Sequence, residues 1–407
     1  MEPIIIAGAG IGGLSAAIAL ARHGFAVRVY ERVAQLREFG AGIQLGPNAF
    51  RMFERLGVQD AMEEIAFQPR AIVMMDSLTG SEICRQRLNE SFQRRFGYPY
   101  RVGHRADVQK VLLQAARSYP DSLELRLGES IRSFAQTEYD VTVTLESGGT
   151  SVASALISAD GLWSVVRQAI LGDGPPHVSG HIAYRAVLPA AEIPGDLLSD
   201  NVEVWVGPRH HLVCYKVSGG KSLNIVAIFH SSRYLEGWDT SGDAAELNAG
   251  FADACPRVRR LLGFVQTWRM WVLCDRDPMR DWSRGRVTLL GDAAHPMLPF
   301  LSQGAAMAIE DGYVLANELA KETDDPARAL RRYQTARLPR ASRVQLMSRK
   351  VARVNQAPSL AARIARDLRL ALQKMLNPRQ HAYKIEWIYG FDVTEPQRQE
   401  SAAFSAM

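Results

Sequence analysis

Three glycines near the start of the chain have the spacing of a phosphate-binding turn. Gly8, Gly10 and Gly13 satisfy the pattern GxGxxG. In that pattern the first glycine makes a tight strand-to-helix turn, the second lets the backbone approach a pyrophosphate, and the third lets helix and strand pack closely. The N-terminus of the following helix favours an anion through its free N–H groups and its dipole. Alone the pattern is weak, because a glycine-rich turn is often only a turn.

The elements around these glycines supply the context that a dinucleotide site requires. Residues 3–7 form an apolar run typical of a buried parallel strand, and residues 14–23 form a predicted helix. Residues 26–30 form a second strand that ends at Glu31. A carboxylate there accepts hydrogen bonds from a ribose 2′-hydroxyl and repels a 2′-phosphate. The sequence therefore predicts a βαβ unit that binds FAD or NAD rather than NADP.

Other residues whose side chains could take part in binding or catalysis follow buried strands further along the chain. Asp160-Gly161 ends the apolar run 155–159, and Gly291-Asp292 ends the run 287–290. Asp160 also has an ordinary explanation as a helix cap. His295 stands before Pro296 in a predicted loop, where we expect a structural role rather than that of a catalytic base.

Composition restricts the class of protein. A hydrophobic content of 47% with 22% charged residues is that of a globular chain, and 407 residues suffice for two or three domains. No apolar run reaches the roughly 20 residues of a membrane span, and a first strand at residues 3–8 leaves no room for a signal peptide. The four cysteines form no CxxC pair, so we expect no metal site and a cytoplasmic protein.

Positive charge is concentrated near the C-terminus. Between residues 328 and 379 there are fourteen Lys or Arg and a single acid, Asp367, so this segment carries +13 and the remainder of the chain −8. Such asymmetry raises the alternatives of a nucleic-acid binder or a membrane-surface helix. Apolar residues recur at helical spacing through the segment, without a set of aromatic residues for base stacking. We therefore expect a helical cap that packs its apolar stripe on an acidic body, or a subunit interface.

The remaining pattern predicts a mixed α/β protein with a discontinuous nucleotide domain. Strand signals are frequent between residues 180 and 275, which indicates an inserted antiparallel sheet. The predicted domains are an FAD-binding domain of residues 1–75, 100–175 and 276–325, a substrate domain of residues 76–99 and 176–275, and a C-terminal helical region of residues 326–407.

Three motifs together give the chain a family resemblance. The N-terminal GAGIGG with Glu31, the stretch ALISADGLWSVVR at 155–167, and the stretch RVTLLGDAAHPMLPFLSQGAAMAIED at 286–311 resemble the flavoprotein aromatic hydroxylases. These enzymes are single-component FAD-dependent monooxygenases. The motifs lie in the family's order and spacing and extend over most of the chain, which makes the resemblance specific.

The resemblance implies roles for individual residues. Glu31 would hold the adenosine ribose, Asp292 the ribose or ribityl region of FAD with Gly291 permitting close approach, and Arg105 the pyrophosphate and ribityl chain. Asp160 would support contacts with both FAD and NAD(P)H. The helix that starts near Gly304 would direct its N-terminus at the pyrimidine edge of the flavin, where its dipole stabilises the anionic reduced flavin.

The resemblance also implies a reaction. NADH or NADPH would reduce FAD, O₂ would form a C4a-hydroperoxyflavin, and this species would hydroxylate a hydroxylated aromatic carboxylic acid. The segments at 41–49, 180–187 and 206–215 are most similar to the 3-hydroxybenzoate 6-hydroxylases, which form gentisate. Decarboxylating salicylate and 6-hydroxynicotinate monooxygenases share much of this similarity and are the alternative. A non-oxygenating FAD oxidoreductase is a second alternative. Independently of the resemblance, we expect a homodimer.

Two side chains on one predicted strand are candidates for acting on the substrate. His211 and Tyr215 are four residues apart, so they lie on the same face of a strand. In the 3-hydroxybenzoate enzymes a His and a Tyr at matching positions point into the substrate pocket. By that resemblance His211 would accept the phenolic proton and Tyr215 would hydrogen-bond the ring or carboxylate; the alternative is a packed pair inside the sheet. Pro299 departs from the Gln that these enzymes tend to carry and matches the salicylate type.

Overall fold

The computed structural model describes residues 2–36, 41–231, 238–376 and 386–395, and the fold is given for these. In chain order the strands are β1 (Ile4–Ala7), β2 (Val27–Glu31), β3 (Gly42–Leu45), β4 (Ala71–Asp76), β5 (Glu82–Arg87), β6 (Arg101–His104), β7 (Leu123–Leu127), β8 (Ile131–Gln136), β9 (Val141–Leu145), β10 (Thr150–Ala153), β11 (Ala155–Ser158), β12 (His177–Pro189), β13 (Val202–Gly207), β14 (His210–Val217), β15 (Ser222–His230), β16 (Trp238–Ser241), β17 (Arg269–Asp275), β18 (Ser283–Arg284) and β19 (Val287–Leu289). The helices are α1 (Ile11–Arg22), α2 (Pro47–Leu56), α3 (Gln59–Ile65), α4 (Glu90–Phe96), α5 (Arg105–Arg117), α6 (Val165–Leu171), α7 (Ala244–Gly250), α8 (Pro256–Gly263), α9 (Gly304–Lys321), α10 (Pro326–Asn355), α11 (Leu360–Leu376) and α12 (Glu386–Tyr389).

A six-stranded sheet brings the three sequence motifs to one edge. Its order is β18-β19-β11-β1-β2-β7, and β1, β2, β11 and β19 are parallel. The carboxyl ends of parallel strands lie at the same edge, where ligands bind in open α/β sheets. The GAGIGG turn follows β1, Asp160-Gly161 follows β11, and Gly291-Asp292 follows β19. The mixed α/β class and the predicted βαβ unit are confirmed.

Small residues let α1 lie close to both the sheet and α9. A Cβ added at Gly312 of α9 would lie 2.7 Å from the backbone nitrogen of Ala16 in α1. The isoleucines of β1 are buried, with Ile5 and Ile6 fully inaccessible to solvent. This tight packing of β1, α1 and α9 fixes the loops at the sheet edge, because α9 begins immediately beside them.

The second large sheet has eight strands in the order β16-β17-β12-β15-β14-β13-β4-β5. All neighbouring pairs are antiparallel except β13 with β4. The predicted strand region between residues 180 and 275 therefore forms one sheet. This sheet also includes β4 from Ala71 onward, five residues before the boundary predicted at residue 76. The reason is long-range, since β4 aligns with β13, which lies more than a hundred residues later in the chain.

Side chains of β14 alternate between the two faces of this sheet. Leu212 and Cys214 pack with α7 and α8, whereas Tyr215 and Val217 pack on the opposite side with Met307 of α9. Period-2 alternation places the odd-numbered residues of β14 on the face that looks toward the six-stranded sheet. The predicted shared face of the two candidate side chains on β14 follows from this geometry.

Part of the basic C-terminal segment docks on an acidic helix. In α10, Arg337 Nε lies 2.7 Å from Asp311 Oδ1, and Arg340 Nε lies 2.7 Å from Glu310 Oε2, with all four side chains buried. The expectation that this segment packs against acidic residues of the nucleotide domain therefore holds for α10. No helix among the described residues is both long and apolar enough to cross a membrane.

For α11 one of the two expected alternatives, packing of its apolar stripe on the protein body, is wrong. Ile364 is 49% exposed and Leu368 60% exposed, whereas Leu370 is buried against Met74 and Val206 of the eight-stranded sheet. The helix thus turns its leucine stripe away from the protein body. Periodicity identifies an apolar side of a helix, but it does not tell which side another element covers.

Candidate active site

The GAGIGG turn has a geometry that only glycine permits at two of its positions. Gly8 has φ +97°, and a Cβ there would lie 2.5 Å from the carbonyl oxygen of Ala159. A Cβ on Gly13 would lie 2.0 Å from the carbonyl oxygen of Gly8. In contrast, a Cβ on Gly10 would meet no protein atom within 4 Å. The turn is therefore closed on the protein side and open where a phosphate group would approach.

A cavity of about 340 Å³ lies in front of this turn, a volume within the range of cofactor and ligand sites. Its lining comes from the loops after β1, β11 and β19, from β3, and from β12, β14 and β17 of the second sheet. The lining residues that the sequence predicted are Gly10, Arg105, Tyr215, Gly291, Asp292 and Gly304. Gly8 and Gly13 lie behind the cavity wall, and Glu31, Asp160 and His211 are outside the lining.

Glu31 lies at the end of β2 and contacts the glycine turn directly. Its Oε2 accepts a 2.8 Å hydrogen bond from the backbone N–H of Ala9, and its Oε1 accepts one of 3.1 Å from Val33. Each carboxylate oxygen can accept further hydrogen bonds. The side chain is thus fixed beside the glycine turn.

Asp160 is directed away from the cavity. Its Oδ1 accepts a hydrogen bond from the hydroxyl of Ser158, and its Oδ2 accepts one of 3.1 Å from the N–H of Val165 at the start of α6. Burial raises the pKa of Asp160, against the opposing effect of these hydrogen bonds. The carboxylate therefore supports the start of α6, whose N-cap is Ser164, while its neighbours Ala159 and Gly161 line the cavity.

Two helices begin at the cavity. Arg105 is the first residue of α5, and its backbone N–H donates to the carbonyl oxygen of Ala41 at 2.9 Å. Gly304 is the first residue of α9. The first turn of this helix contains no acidic residue, and its N-cap residue makes no side-chain hydrogen bond to the helix. The α9 N-terminus therefore offers its N–H groups and dipole to a group in the cavity. Asp292 lies next to it and also lines the cavity.

Tyr215 forms part of the wall opposite the glycine turn. It is only 3% exposed, and its hydroxyl would lie 2.7 Å from a Cβ added at Gly42. Burial raises the pKa of Tyr215, although Arg185 and Arg105 act in the opposite direction. The phenol is therefore protonated near neutral pH and serves as a hydrogen-bond donor.

His211 lies on the same face of β14 but is enclosed by other side chains. Its ring centroid is 4.9 Å from that of Phe300, and its Nδ1 is 3.4 Å from Gln356 Nε2. Burial, assisted by two neighbouring histidines, lowers the pKa of His211 to about 3. The imidazole is therefore neutral at neutral pH. The structure does not bring it into the same cavity lining as Tyr215.

His295 takes part in a buried ion-pair network rather than lining the cavity. Its Nε2 is 2.5 Å from Asp311 Oδ2, which also accepts a 3.1 Å hydrogen bond from the N–H of Gly291. Burial opposes ionisation of Asp311, but His295 and Arg337 outweigh it and lower the pKa of this carboxyl to about 2. The network thus holds the loop after β19 in place.

Arg185 is a cavity residue to which the sequence analysis gave no role. It lies on β12, lines the cavity, and places its guanidinium carbon 4.7 Å from the centroid of the Trp271 ring. An arginine among the apolar residues of the segment 180–187 was the available signal in the sequence. Trp271 itself carried no signal, because a buried tryptophan is ordinary in a sheet. No group of three His, Cys, Asp or Glu side chains suited to a metal occurs in the described ranges.

The cavity and its surroundings fit FAD. Gly10 and the N-termini of α1 and α9 line the cavity, and Glu31 lies behind this lining, hydrogen-bonded to the glycine turn at Ala9. Oriented N–H groups and helix dipoles suit the pyrophosphate and an electron-rich flavin ring. An open position at Gly10 is the feature that a bound diphosphate requires.

Comparison with known proteins agrees with this geometry. Residues 1–348 match the family described as FAD binding domain. The chain is 41% identical to 3-hydroxybenzoate 6-hydroxylase of Polaromonas naphthalenivorans (strain CJ2), with 96% of each chain covered. It is 35% identical to 6-hydroxynicotinate 3-monooxygenase of Bordetella bronchiseptica (strain ATCC BAA-588 / NCTC 13252 / RB50), covering 85% of this chain and 90% of that one.

Among solved structures, Klebsiella pneumoniae HpxO complexed with FAD and uric acid superimposes with a TM-score of 0.82 at 28% identity. The match covers 94% of this chain and 96% of that one. These similarities extend beyond the glycine turn and include both large sheets. The chain therefore belongs to the FAD binding domain family and is a flavoprotein aromatic hydroxylase, an FAD-dependent monooxygenase.

Proposed function

We propose that the enzyme hydroxylates a small hydroxylated aromatic carboxylic acid, and that this acid is 3-hydroxybenzoate, converted to gentisate. The observation that carries the proposal is the wall of the cavity, where Tyr215 and Arg185 lie beside the flavin-binding loops. The hydroxyl of Tyr215 can donate a hydrogen bond, and the guanidinium of Arg185 is positively charged. Both groups suit a substrate that has a carboxylate and a hydroxyl. Similarity to 3-hydroxybenzoate 6-hydroxylase along nearly the whole chain supports the choice of acid.

When bound, FAD accepts a hydride from NADH or NADPH and activates O₂ for insertion of one oxygen atom into the ring. The protein holds the cofactor through the turn at Gly8, Gly10 and Gly13, through Glu31 at its ribose, and through the loop residues described above. We infer that Arg105, Asp160, Gly291, Asp292 and Gly304 complete this set. Asp160 acts by fixing the start of α6, because its carboxylate is directed there.

His211 is the proposed base for the phenolic proton. Gln356 Nε2 donates a long 3.4 Å hydrogen bond to Nδ1, so the neutral ring accepts at that nitrogen. His211 lies outside the cavity lining, so the side chains that enclose it, Phe300 and Gln356, would have to move before the substrate hydroxyl could reach Nδ1 and transfer its proton there. Negative charge on the incoming acid would raise the pKa of His211 from its low value, which makes the imidazole a better base once substrate is bound.

Substitution of His211 by Ala tests this role. Because the base acts on the substrate and not on hydride transfer, we expect hydroxylation to slow by at least tenfold, within the range that general bases contribute. Flavin reduction by NADH should change less than twofold. Stopped-flow absorbance measures the two half-reactions separately, and an equal loss in both would exclude His211 as the base.

A decarboxylating monooxygenase of the salicylate or 6-hydroxynicotinate type is the second candidate. Pro299 favours it, since this residue lines the cavity and offers no side-chain hydrogen bond. Substrate-stimulated NADH oxidation across the mono-hydroxybenzoates and hydroxynicotinates, with product masses, distinguishes the candidates. Loss of CO₂ identifies the second type. Incorporation of ¹⁸O from ¹⁸O₂ into the product excludes a non-oxygenating oxidoreductase. An enzyme whose NADH oxidation none of these acids stimulates would overturn the proposal.

We further infer a cytoplasmic homodimer. Cys214, Cys255 and Cys274 form no disulfide bond, which supports a reducing compartment. The outward leucine stripe of α11 supports association with a second copy. Sedimentation of the FAD-loaded enzyme measures the assembly directly.

A further inference from the structure

A second cavity lies beside the flavin cavity. It has a volume of about 590 Å³ and is formed by the start of β12, the β13–β14 turn, the end of β15 and the C-terminal part of α10. Leu298 lines this second cavity and the flavin cavity alike. Leu298 therefore belongs to a wall that this larger cavity shares with the flavin cavity.

The rim of the second cavity is cationic. Arg349 is neutralised, because its guanidinium lies 2.5 Å from Asp275 and 2.6 Å from Asp277. Arg209 and Arg353 are exposed, and within the described ranges no carboxylate lies within ion-pair distance of either side chain. Among the residues that the structure describes, these two positive charges have no carboxylate partner, and they attract an anion before it makes any contact.

Arg209 occupies a turn position with positive φ, where Gly or Asn is usual. It follows Pro208 in the two-residue turn between β13 and β14 and has φ +61°. That position of a proline-containing turn favours Gly or Asn, since a side chain with a Cβ is strained at positive φ. The turn thus carries a long cationic side chain at the cavity, where turn geometry alone would favour a small residue.

Aromatic and amide groups continue inward from the rim. The rings of His181 and His230 are 4.1 Å apart, and burial lowers the pKa of both, with the charge of Arg209 acting further on His230. Two neutral imidazoles provide a flat surface and hydrogen-bonding nitrogens without adding charge. Further in, Gln356 lines the cavity and contacts His211.

We propose that the second cavity is an access vestibule that captures an aromatic carboxylate and passes it to the flavin cavity when the side chain of Leu298 moves aside. Arg209 and Arg353 attract the carboxylate, and His181 contacts the ring. This inference rests on the proposed function, because it assigns the route of the same aromatic acid. It adds a binding surface outside the catalytic cavity and gives the two exposed arginines a role in substrate capture.

Association kinetics of the FAD-loaded enzyme test the vestibule. The double variant Arg209→Asn/Arg353→Gln removes both charges, and Asn tolerates the positive φ at position 209. Stopped-flow perturbation of the flavin spectrum gives the association rate constants of 3-hydroxybenzoate and of neutral 3-hydroxybenzamide. At low ionic strength we expect the rate for the acid to fall about tenfold and that for the amide less than twofold.

A matched control removes the same charge elsewhere. Arg117 and Arg132 are exposed residues of α5 and β8, so Arg117→Gln/Arg132→Gln lowers the net charge equally without altering the vestibule. If this control slows the acid as much as the vestibule variant does, or if the vestibule variant leaves the acid's rate unchanged, the inference is wrong.

Leu298→Trp tests the passage between the two cavities. A larger side chain at the shared wall should slow association of the acid and of the amide alike by tenfold or more, and unchanged rates for both would contradict a passage there. The proposed function fails in a different way. A wild-type enzyme whose NADH oxidation no aromatic acid stimulates overturns that function and this inference together, whereas a responsive wild type with unaffected variants overturns the vestibule alone.

Discussion

At the scale of single residues, the glycine turn contains one position that the fold requires to be glycine, Gly13, and one that we expect cofactor binding to require, Gly10. A methyl group at Gly13 would lie 2.0 Å from the carbonyl oxygen of Gly8, whereas one at Gly10 would meet no protein atom. We expect Gly13→Ala to lower the free energy of unfolding of the apoprotein by about 2 kcal/mol or more, because backbone has to move.

The matched variant Gly10→Ala should behave differently. Gly10 has extended backbone angles that alanine tolerates, so the stability of the apoprotein should change by less than about 1 kcal/mol. The added methyl group stands where the pyrophosphate approaches, so FAD affinity should fall at least tenfold. Urea unfolding and flavin-fluorescence titration measure the two quantities. Equal effects of both variants on apoprotein stability would contradict the assignment of the open position.

Burial of His211 predicts a specific dependence of stability on pH. Its folded-state pKa of about 3 lies below the ordinary value of 6.5. Between these values the unfolded chain binds more protons at this residue, so the contribution of the buried neutral ring is lost as the pH falls through the window. His211→Phe should therefore reduce the slope of unfolding free energy against pH by roughly 1 kcal/mol per unit between pH 4.5 and 6.

Urea unfolding of the FAD-saturated proteins at several pH values measures this slope. The exposed His23 provides the control, since His23→Phe removes a histidine without removing a buried one. A wild-type slope in His211→Phe would mean that the imidazole is accessible to protons in the folded protein.

At the scale of elements, α11 shows that periodicity predicts an apolar side of a helix but not which side another element covers. Leu370 is buried against β4 and β13, but Leu368 on the neighbouring side is 60% exposed. We expect Leu370→Ala to lower the free energy of unfolding by about 2–4 kcal/mol through the cavity it creates. Leu368→Ala should change it by less than about 0.5 kcal/mol. Thermal denaturation of both variants measures the difference, and a reversed order would show that the stripe forms part of the core.

For β14, too, the sequence was sufficient to predict local geometry but not contacts with distant segments. Its period of two was sufficient to predict that His211 and Tyr215 share a face. Enclosure of His211 was not predictable, because Phe300 and Gln356 come from segments some ninety and a hundred and fifty residues later. The position of Arg185 in the cavity wall was missed for a similar reason, as its ring partner Trp271 belongs to another strand.

At the scale of the whole molecule, the topology of the parallel sheet made the cofactor site predictable. Motifs more than a hundred residues apart each follow a strand, and parallel strands bring those ends together. The second cavity and the buried charges between α9 and α10 depend on how helices and sheets pack. Such packing is determined by contacts between distant segments, which a single sequence does not display.

The buried network between α9 and α10 connects the basic segment to the flavin loop. Arg337 pairs with Asp311, and Asp311 accepts the N–H of Gly291 at the cavity. Removing one partner of a buried ion pair leaves a charge without compensation, which costs about 3–5 kcal/mol. Arg337→Met should therefore destabilise the protein by that amount and also weaken FAD binding, because the loop after β19 loses part of its support.

An exposed ion pair between the same two helices provides the comparison. Arg332 of α10 lies 2.8 Å from Glu318 of α9, but its side chain is 47% exposed. Water and salt screen such a pair, so Arg332→Met should cost less than about 1 kcal/mol and leave FAD affinity unchanged. Calorimetric unfolding with and without added FAD measures both effects. If the two variants lose the same stability and the same FAD affinity, the connection between the C-terminal segment and the flavin site does not depend on the buried network.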